Sequence, residues 1–219
     1  MLTRIKMIVS HRICFFIPFA ILGLESCDIA GLELQKTVPY EYNVLDPKIN
    51  MTALEFLYQD REDTVFKLMQ EGIAYAGLAE EYSKSDRTFL FLTNDAILRF
   101  NANGTVNEAS YFGFNKVNGE PASKWEDYPV EEVREFFRYH IIQGFYSYDN
   151  LGAENIPVQT LLQADNNLAY IKIQNARNSK LRVNDIPLTP RFIEARSSNI
   201  QPTNGVIHAF DSFIIPLTD

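Results

Sequence analysis

Side chains able to do chemistry are few in this sequence, and their spacing narrows what they can do. Histidine occurs at His11, His140 and His208, and cysteine only at Cys14 and Cys27. A zinc site draws three or four ligands from His, Cys and carboxylates held close together. His11 belongs to an amino-terminal stretch that reads as a leader, which leaves His140, His208 and a carboxylate, and no spacing brings two of them together. His140 falls on the apolar stripe of a helix pattern, and His208 alternates with Ile207 and Ala209 as a strand residue does. Both are expected to be hydrogen-bonded residues of the fold. No Ser-His-Asp arrangement, glycine-rich phosphate loop or metal motif is present, and Glu80-Glu81 and Glu131-Glu132 read as solvated helix faces. The expectation is a protein with no catalytic residues, no cofactor and no metal.

Cys27 is the exception, because its context gives it a covalent role. Arg4, Lys6 and Arg12 precede an apolar run over residues 13–24 (ICFFIPFAILGL), the order of a secretory signal peptide. A bilayer-spanning helix needs roughly 20 apolar residues. This run is shorter and carries Pro18, so a leader over residues 1–26 fits better than a permanent span. Leu24-Glu25-Ser26-Cys27 resembles the lipobox of bacterial lipoproteins, in which the cysteine after a small residue receives the lipid. Glu25 departs from the small or apolar residue usual there. Cleavage would remove Cys14 and leave Cys27 as the first residue, and acylation would remove an otherwise oxidisable thiol. The chain is then expected to be exported and held at the cell envelope, as an outer-membrane lipoprotein, by its lipid anchor alone.

Composition sets the class of partner. The chain has 219 residues, 46% hydrophobic, with 16 Phe and 11 Tyr, enough apolar surface for one core. Its formal net charge is -8, and without the first 26 residues 17 basic side chains face 27 acidic ones. Nucleic acid requires a basic face to displace counterions, and no stretch of Lys and Arg supplies one. A protein or glycan partner remains.

The elements follow from periodicity. Residues 27–48 are polar and irregular, with Pro39 and Pro47, and read as a tether. Thr52 and Glu55 form a capping box ahead of Leu54, Leu57 and Tyr58, which predicts a first helix. Asp63 is placed to cap a second helix whose inner face carries Phe66, Met69, Ile73 and Gly77. Residues 88–92 (TFLFL) predict a buried strand, followed by a brief helix capped by Thr93, Asn94 or Asp95 and running through Phe100. Pro129, Glu131 and Glu132 open a further helix with an inner stripe of Val133, Phe136, Phe137, His140 and Ile141. Strands are predicted at 156–162, 168–174, 180–183 and 206–215, so the fold class is α+β, with helices of the first half covering sheet from the second.

Between these elements, residues 101–128 form a long aperiodic excursion with Gly104, Gly113, Gly119, Pro121 and the only Trp. Long ordered loops often carry function, and Tyr111, Phe112, Phe114 and Trp125 would supply contact area for a sugar or a protein if exposed. The same rings could instead pack the loop onto the core.

Four segments in a fixed order resemble the fasciclin domain, a cell-surface adhesion module. They are TFLFLTNDAI at 88–97, the Tyr139-His140 pair within FFRYHIIQGFYSYDNL at 136–151, LRVND at 181–185, and the closing stretch from Asn199-Ile200 through TNGVIHAFD at 203–211 to Ile214-Ile215-Pro216. The resemblance covers residues 49–217. It departs at Leu90 and Leu92, where the family prefers Ala and Pro, at Asp185, where Gly is usual, and in the enlarged 101–128 segment. It implies a wedge-shaped β-sandwich with helices packed along one side, non-catalytic adhesion or recognition, and no cofactor. In the family the Tyr-His pair is linked with receptor recognition, which points to Tyr139 and His140 as partner-binding residues. A second functional expectation is an accessory lipoprotein of an outer-membrane polysaccharide-uptake assembly, and bridging of acidic partners by a divalent cation is a further one.

Overall fold

The structure is a computed structural model, and it describes residues 46–59, 65–176, 179–187 and 192–217. Five α-helices are described: α1 (Ala53–Tyr58), α2 (Lys67–Ala76), α3 (Asn94–Ile97), α4 (Tyr111–Phe114) and α5 (Val130–Tyr139). Eight strands are described: β1 (Arg87–Leu92), β2 (Ile141–Gln143), β3 (Ile156–Gln159), β4 (Leu168–Ile173), β5 (Leu181–Val183), β6 (Ile193–Glu194), β7 (Ser197–Ile200) and β8 (Gly205–Phe210). They form two four-stranded sheets, β2-β1-β8-β7 and β3-β4-β5-β6. All pairings are antiparallel except β1 with β8. The α+β class is as expected. An Ile142–Thr160 bridge links the edges of the two sheets, and buried residues of both join one hydrophobic core. No described helix is long and apolar enough to cross a membrane. Cys27, the leader, Asp63 and most of the 27–48 tether lie outside the described residues.

Helix α1 starts where the capping box predicts. Thr52 accepts from Glu55 N–H while the Glu55 carboxylate accepts from Thr52 N–H, satisfying two donors the helix cannot pair itself. The helix is tied to the far end of the chain by Asn204, whose buried amide accepts from Ala53 N–H (2.8 Å) and donates to the carbonyls of Tyr82 (2.9 Å) and Lys84 (3.1 Å). Asn94, read in the sequence as a cap for its own short helix, instead accepts from Leu68 N–H in the first turn of α2 at 2.9 Å. Its own N–H donates to the Val65 carbonyl at 2.8 Å. Helix α2 ends at Gly77 in the left-handed conformation, a C-cap that glycine adopts without steric cost.

The helices cover the sheet that joins both halves of the chain, since α1 packs on β8, α3 on β1 and α5 on β2. This differs from a first-half helical layer laid over a second-half sheet. The parallel β1–β8 pair explains the difference: residues 87–92 register against 205–210 one to one. Gly205 is required by that approach, because a Cβ there would lie 2.1 Å from the Arg87 carbonyl oxygen. Past the strand ends, Thr93 donates its hydroxyl to the Asp211 carboxylate at 2.9 Å. That contact, with the bond from Arg99 to the Asp211 carbonyl (2.5 Å), turns the chain at Asp211 and ends β8 at Phe210 rather than near residue 215.

Candidate functional site

Helix α5 carries Glu132, Glu135, Phe136 and Tyr139 at i, i+3, i+4 and i+7, so these side chains form one stripe along it. Opposite the stripe stand α4, with Tyr111 and Phe114, and the segment 213–216 that follows the Asp211 turn. Together they enclose an open cleft of about 240 Å³ with largely apolar walls and Asn115, Glu132 and Glu135 on its rim.

The cleft floor is the outer surface of a continuous ring cluster. Tyr111 lies 4.1 Å from Phe136 and 5.6 Å from both Phe213 and Trp125, centroid to centroid. Behind them Trp125 meets Phe137 at 5.1 Å and donates its indole N–H to the Leu68 carbonyl at 2.7 Å. Tyr128 donates to the Asn115 carbonyl at 2.6 Å and holds the end of α4. Gly113 lets α4 sit against the preceding turn, since a Cβ there would lie 2.2 Å from the Asn107 carbonyl oxygen. Burial pushes the Tyr111 hydroxyl far above its ordinary pKa, with a smaller contribution from the Glu132 charge.

The Tyr-His pair builds one wall of this cleft. The Tyr139 hydroxyl is aimed at the Leu168 carbonyl (3.3 Å) and accepts from the Asn184 amide (3.1 Å). Asn184 also donates to the Ile215 carbonyl at 3.2 Å. His140 donates from Nδ1 to the Phe136 carbonyl at 2.8 Å and accepts at Nε2 from Ile214 N–H at 3.1 Å. His140 directly, and Tyr139 through Asn184, therefore hold Ile214 and Ile215, and with them the 213–216 wall. His208 uses the other tautomer, donating from Nε2 to the Tyr146 carbonyl (3.0 Å) and accepting at Nδ1 from Asn199 N–H (3.4 Å). Full burial lowers both histidines to a pKa of about 4, so both are neutral at pH 7. Both ring nitrogens of each are committed to backbone, in keeping with histidines that maintain the fold.

The residues singled out in the sequence divide between cleft and core. Tyr111, Phe114 and Tyr139 are brought together as cleft lining. Of the two readings of the 101–128 rings, exposed contact area or packing onto the core, packing holds for Tyr111, Phe112 and Trp125: all three are buried, at 6%, 0% and 2% exposure, and pack the segment onto the helices. Tyr139 and His140 are likewise buried, at 1% and 0%, which leaves little of either for a partner to touch. Phe114, at 53%, is the ring of the set that meets solvent. Phe136, Phe213 and Glu132 were not singled out as site residues. The α5 periodicity contained the first and the last, whereas nothing local in the sequence shows that Phe213 turns back toward α4. Among the described residues no group of three or more His, Cys, Asp and Glu is arranged to hold a metal ion.

Comparison with known proteins places these features in a family. A solved structure of a FAS1 domain pair from the insect cell adhesion molecule fasciclin I aligns with 70% of this chain and 46% of its own, at 18% identity and a TM-score of 0.48. The chain thus spans under half the length of that solved chain. No curated protein matches the sequence. The family model for the fasciclin domain matches residues 64–216, from just before α2 through the far wall of the cleft, and takes in both sheets and the Tyr139-His140 staple. The chain belongs to the fasciclin domain family.

Proposed function

We propose that this chain is a non-catalytic recognition module of the cell envelope, exported and lipid-anchored at Cys27, that engages a protein partner in adhesion through the cleft between α4, α5 and residues 213–216. The observation that carries the reading is an open apolar cleft, with a half-exposed Phe114 at its mouth, on a domain whose family is associated with cell adhesion. Solvent-exposed apolar concavities of this kind are where buried anchor residues of a partner contribute most of the binding energy. The walls offer few hydrogen-bonding groups, which favours a protein side chain over a glycan.

Cells displaying the chain, compared with cells lacking it, test the reading by attachment to surfaces coated with extracellular proteins and with polysaccharides. Attachment to a protein coat that Phe114→Asp abolishes is the expected result. Attachment indifferent to Phe114→Asp, or absent on every coat, overturns it. Co-purification with an outer-membrane channel and its polysaccharide substrate would replace it with the uptake-accessory reading. The anchor has its own test: the intact mass of membrane-extracted protein should show an acylated chain starting at Cys27, lost in Cys27→Ala.

A further inference from the structure

The cleft has a size and a charge that define what enters it. Drug-sized ligands occupy pockets of roughly 300–1,000 Å³. At about 240 Å³ this cleft is smaller and suits one large side chain. Two glutamates line it, and they are not equivalent. Glu135 is paired with Arg138. Glu132 enters no ion pair among the described residues, is exposed, and lies beside the apolar walls. Asn115 donates to Glu132 Oε1 at 2.5 Å, which steadies the carboxylate at the cleft mouth. An apolar pocket with one steadied, uncompensated carboxylate at its edge is complementary to a greasy side chain with a cation beside it.

Resting on the recognition reading above, we propose that the cleft takes an aromatic or large aliphatic side chain of a protein segment that carries a lysine or arginine next to that residue. The anchor lies against Tyr111, Phe114 and Phe136, and the cation meets Glu132. A second copy of this chain is disfavoured, because each copy carries a formal charge of -8. Contact at the cleft covers Phe114, and removal of that ring face from water supplies the apolar part of the attraction.

The test titrates capped tripeptides into the isotope-labelled full-length chain and follows backbone NMR shifts. Acetyl-Lys-Phe-Lys-amide should give saturable shifts confined to α4, α5 and residues 213–216. It should bind about tenfold more tightly than acetyl-Glu-Phe-Glu-amide, a preference weakened by salt. Acetyl-Lys-Ala-Lys-amide should leave the spectrum unchanged. Glu132→Gln, with an otherwise native spectrum, should abolish the preference while Phe-dependent shifts persist. Equal binding of the basic and acidic peptides, or shifts elsewhere on the molecule, overturns the proposal. Shifts in the same residues from octanoate or maltohexaose, with the peptides silent, overturn it in favour of an acyl chain or a glycan. If the peptides fail while Phe114→Asp still abolishes attachment to a protein coat, this inference falls and the recognition reading stands. Attachment indifferent to Phe114→Asp removes both.

Discussion

The β2-β1-β8-β7 sheet is buried through its centre: every residue of β8 and all but Arg87 of β1 are buried, and helices pack on it. The β3-β4-β5-β6 sheet alternates, with Ala169, Ile171, Leu181 and Val183 inward and Tyr170, Lys172 and Arg182 partly exposed. Its outer face carries an ion-pair chain: Lys172 to Asp185 at 2.8 Å, Arg182 to Asp185 and to Glu194 at 3.1 Å each, and Lys180 to Glu194 at 3.0 Å. The first sheet is held by apolar contact and by buried polar groups with fixed partners. The second adds solvent-screened charge. The difference teaches where the fold is brittle, and the cleft is built on the brittle side, because its 213–216 wall continues from β8.

The largest expected effect is at the centre of the first sheet. Phe91 is fully buried among Phe56, Phe66, Tyr82 and Phe89. Phe91→Ala should cost about 4 kcal/mol, read as a lower urea midpoint at unchanged slope. A loss under about 1 kcal/mol would mean that this sheet is no tighter than its partner. Next is Asn204→Ala, which strands Ala53 N–H and the Tyr82 and Lys84 carbonyls together. A loss of about 3 kcal/mol is expected, with early hydrogen exchange in α1. Retained protection of α1 would show that the helix is held by Leu57 packing instead.

These positions also show what a sequence can reveal. Strand β1 was legible because burial on both faces produces an unbroken apolar run, TFLFL, unlike the alternation of a half-exposed strand. Strand β7 was not, because Ser197, Ser198 and Asn199 are polar and the pairing slips between Ser197 and Ile200, with Asn199 in the left-handed region at φ 65°. Strand β2 was hidden because Ile141 continues the apolar stripe of α5, and only the departure from helical geometry at His140 ends the helix. Asp185, where the family has glycine, does not occupy a left-handed position. The left-handed residue of that turn is Asn184, at φ 58°, a conformation asparagine tolerates. Burial within 101–128 was illegible since an aperiodic loop has no face, so its rings carried no mark of inward or outward.

Acid should separate the sheets by pH window. A buried histidine at about 4, against about 6.5 unfolded, is neutral in both states above pH 6.5. As pH falls below 6.5 the unfolded chain takes up protons first, so stability declines until the folded form protonates near pH 4, by about 3 kcal/mol per histidine. His140 supports the cleft wall and His208 lies in β8, so this loss belongs to the first sheet. Asp185 and Glu194 are held below the usual carboxylate range, chiefly by hydrogen bonds from Lys172 and Lys180 respectively. Their stabilisation is present above the unfolded carboxylate pKa and is lost as pH falls through their lowered values, a later window. Stability measured by urea unfolding from pH 7 to 4 should fall, and His208→Gln, where it folds, should flatten that slope by about half. A flat profile down to pH 4.5 would show that the histidines are not buried neutral.

The smallest expected effect lies on the outer face of the second sheet. Lys172 and Asp185 make the shortest ion pair there, yet both side chains keep about a fifth of their surface in solvent, 21% and 22%. Partial exposure screens the attraction, and Arg182 also holds Asp185, so removing Lys172 leaves the carboxylate a partner. Lys172→Met keeps the aliphatic stem over the sheet while deleting the charge. It should cost at most about 1 kcal/mol, and less in high salt. A loss rivalling Phe91→Ala, undiminished by salt, would mean that the ion-pair chain acts as a desolvated network. The contrast between an apolar sheet and a screened one would then fail at the position chosen to show it.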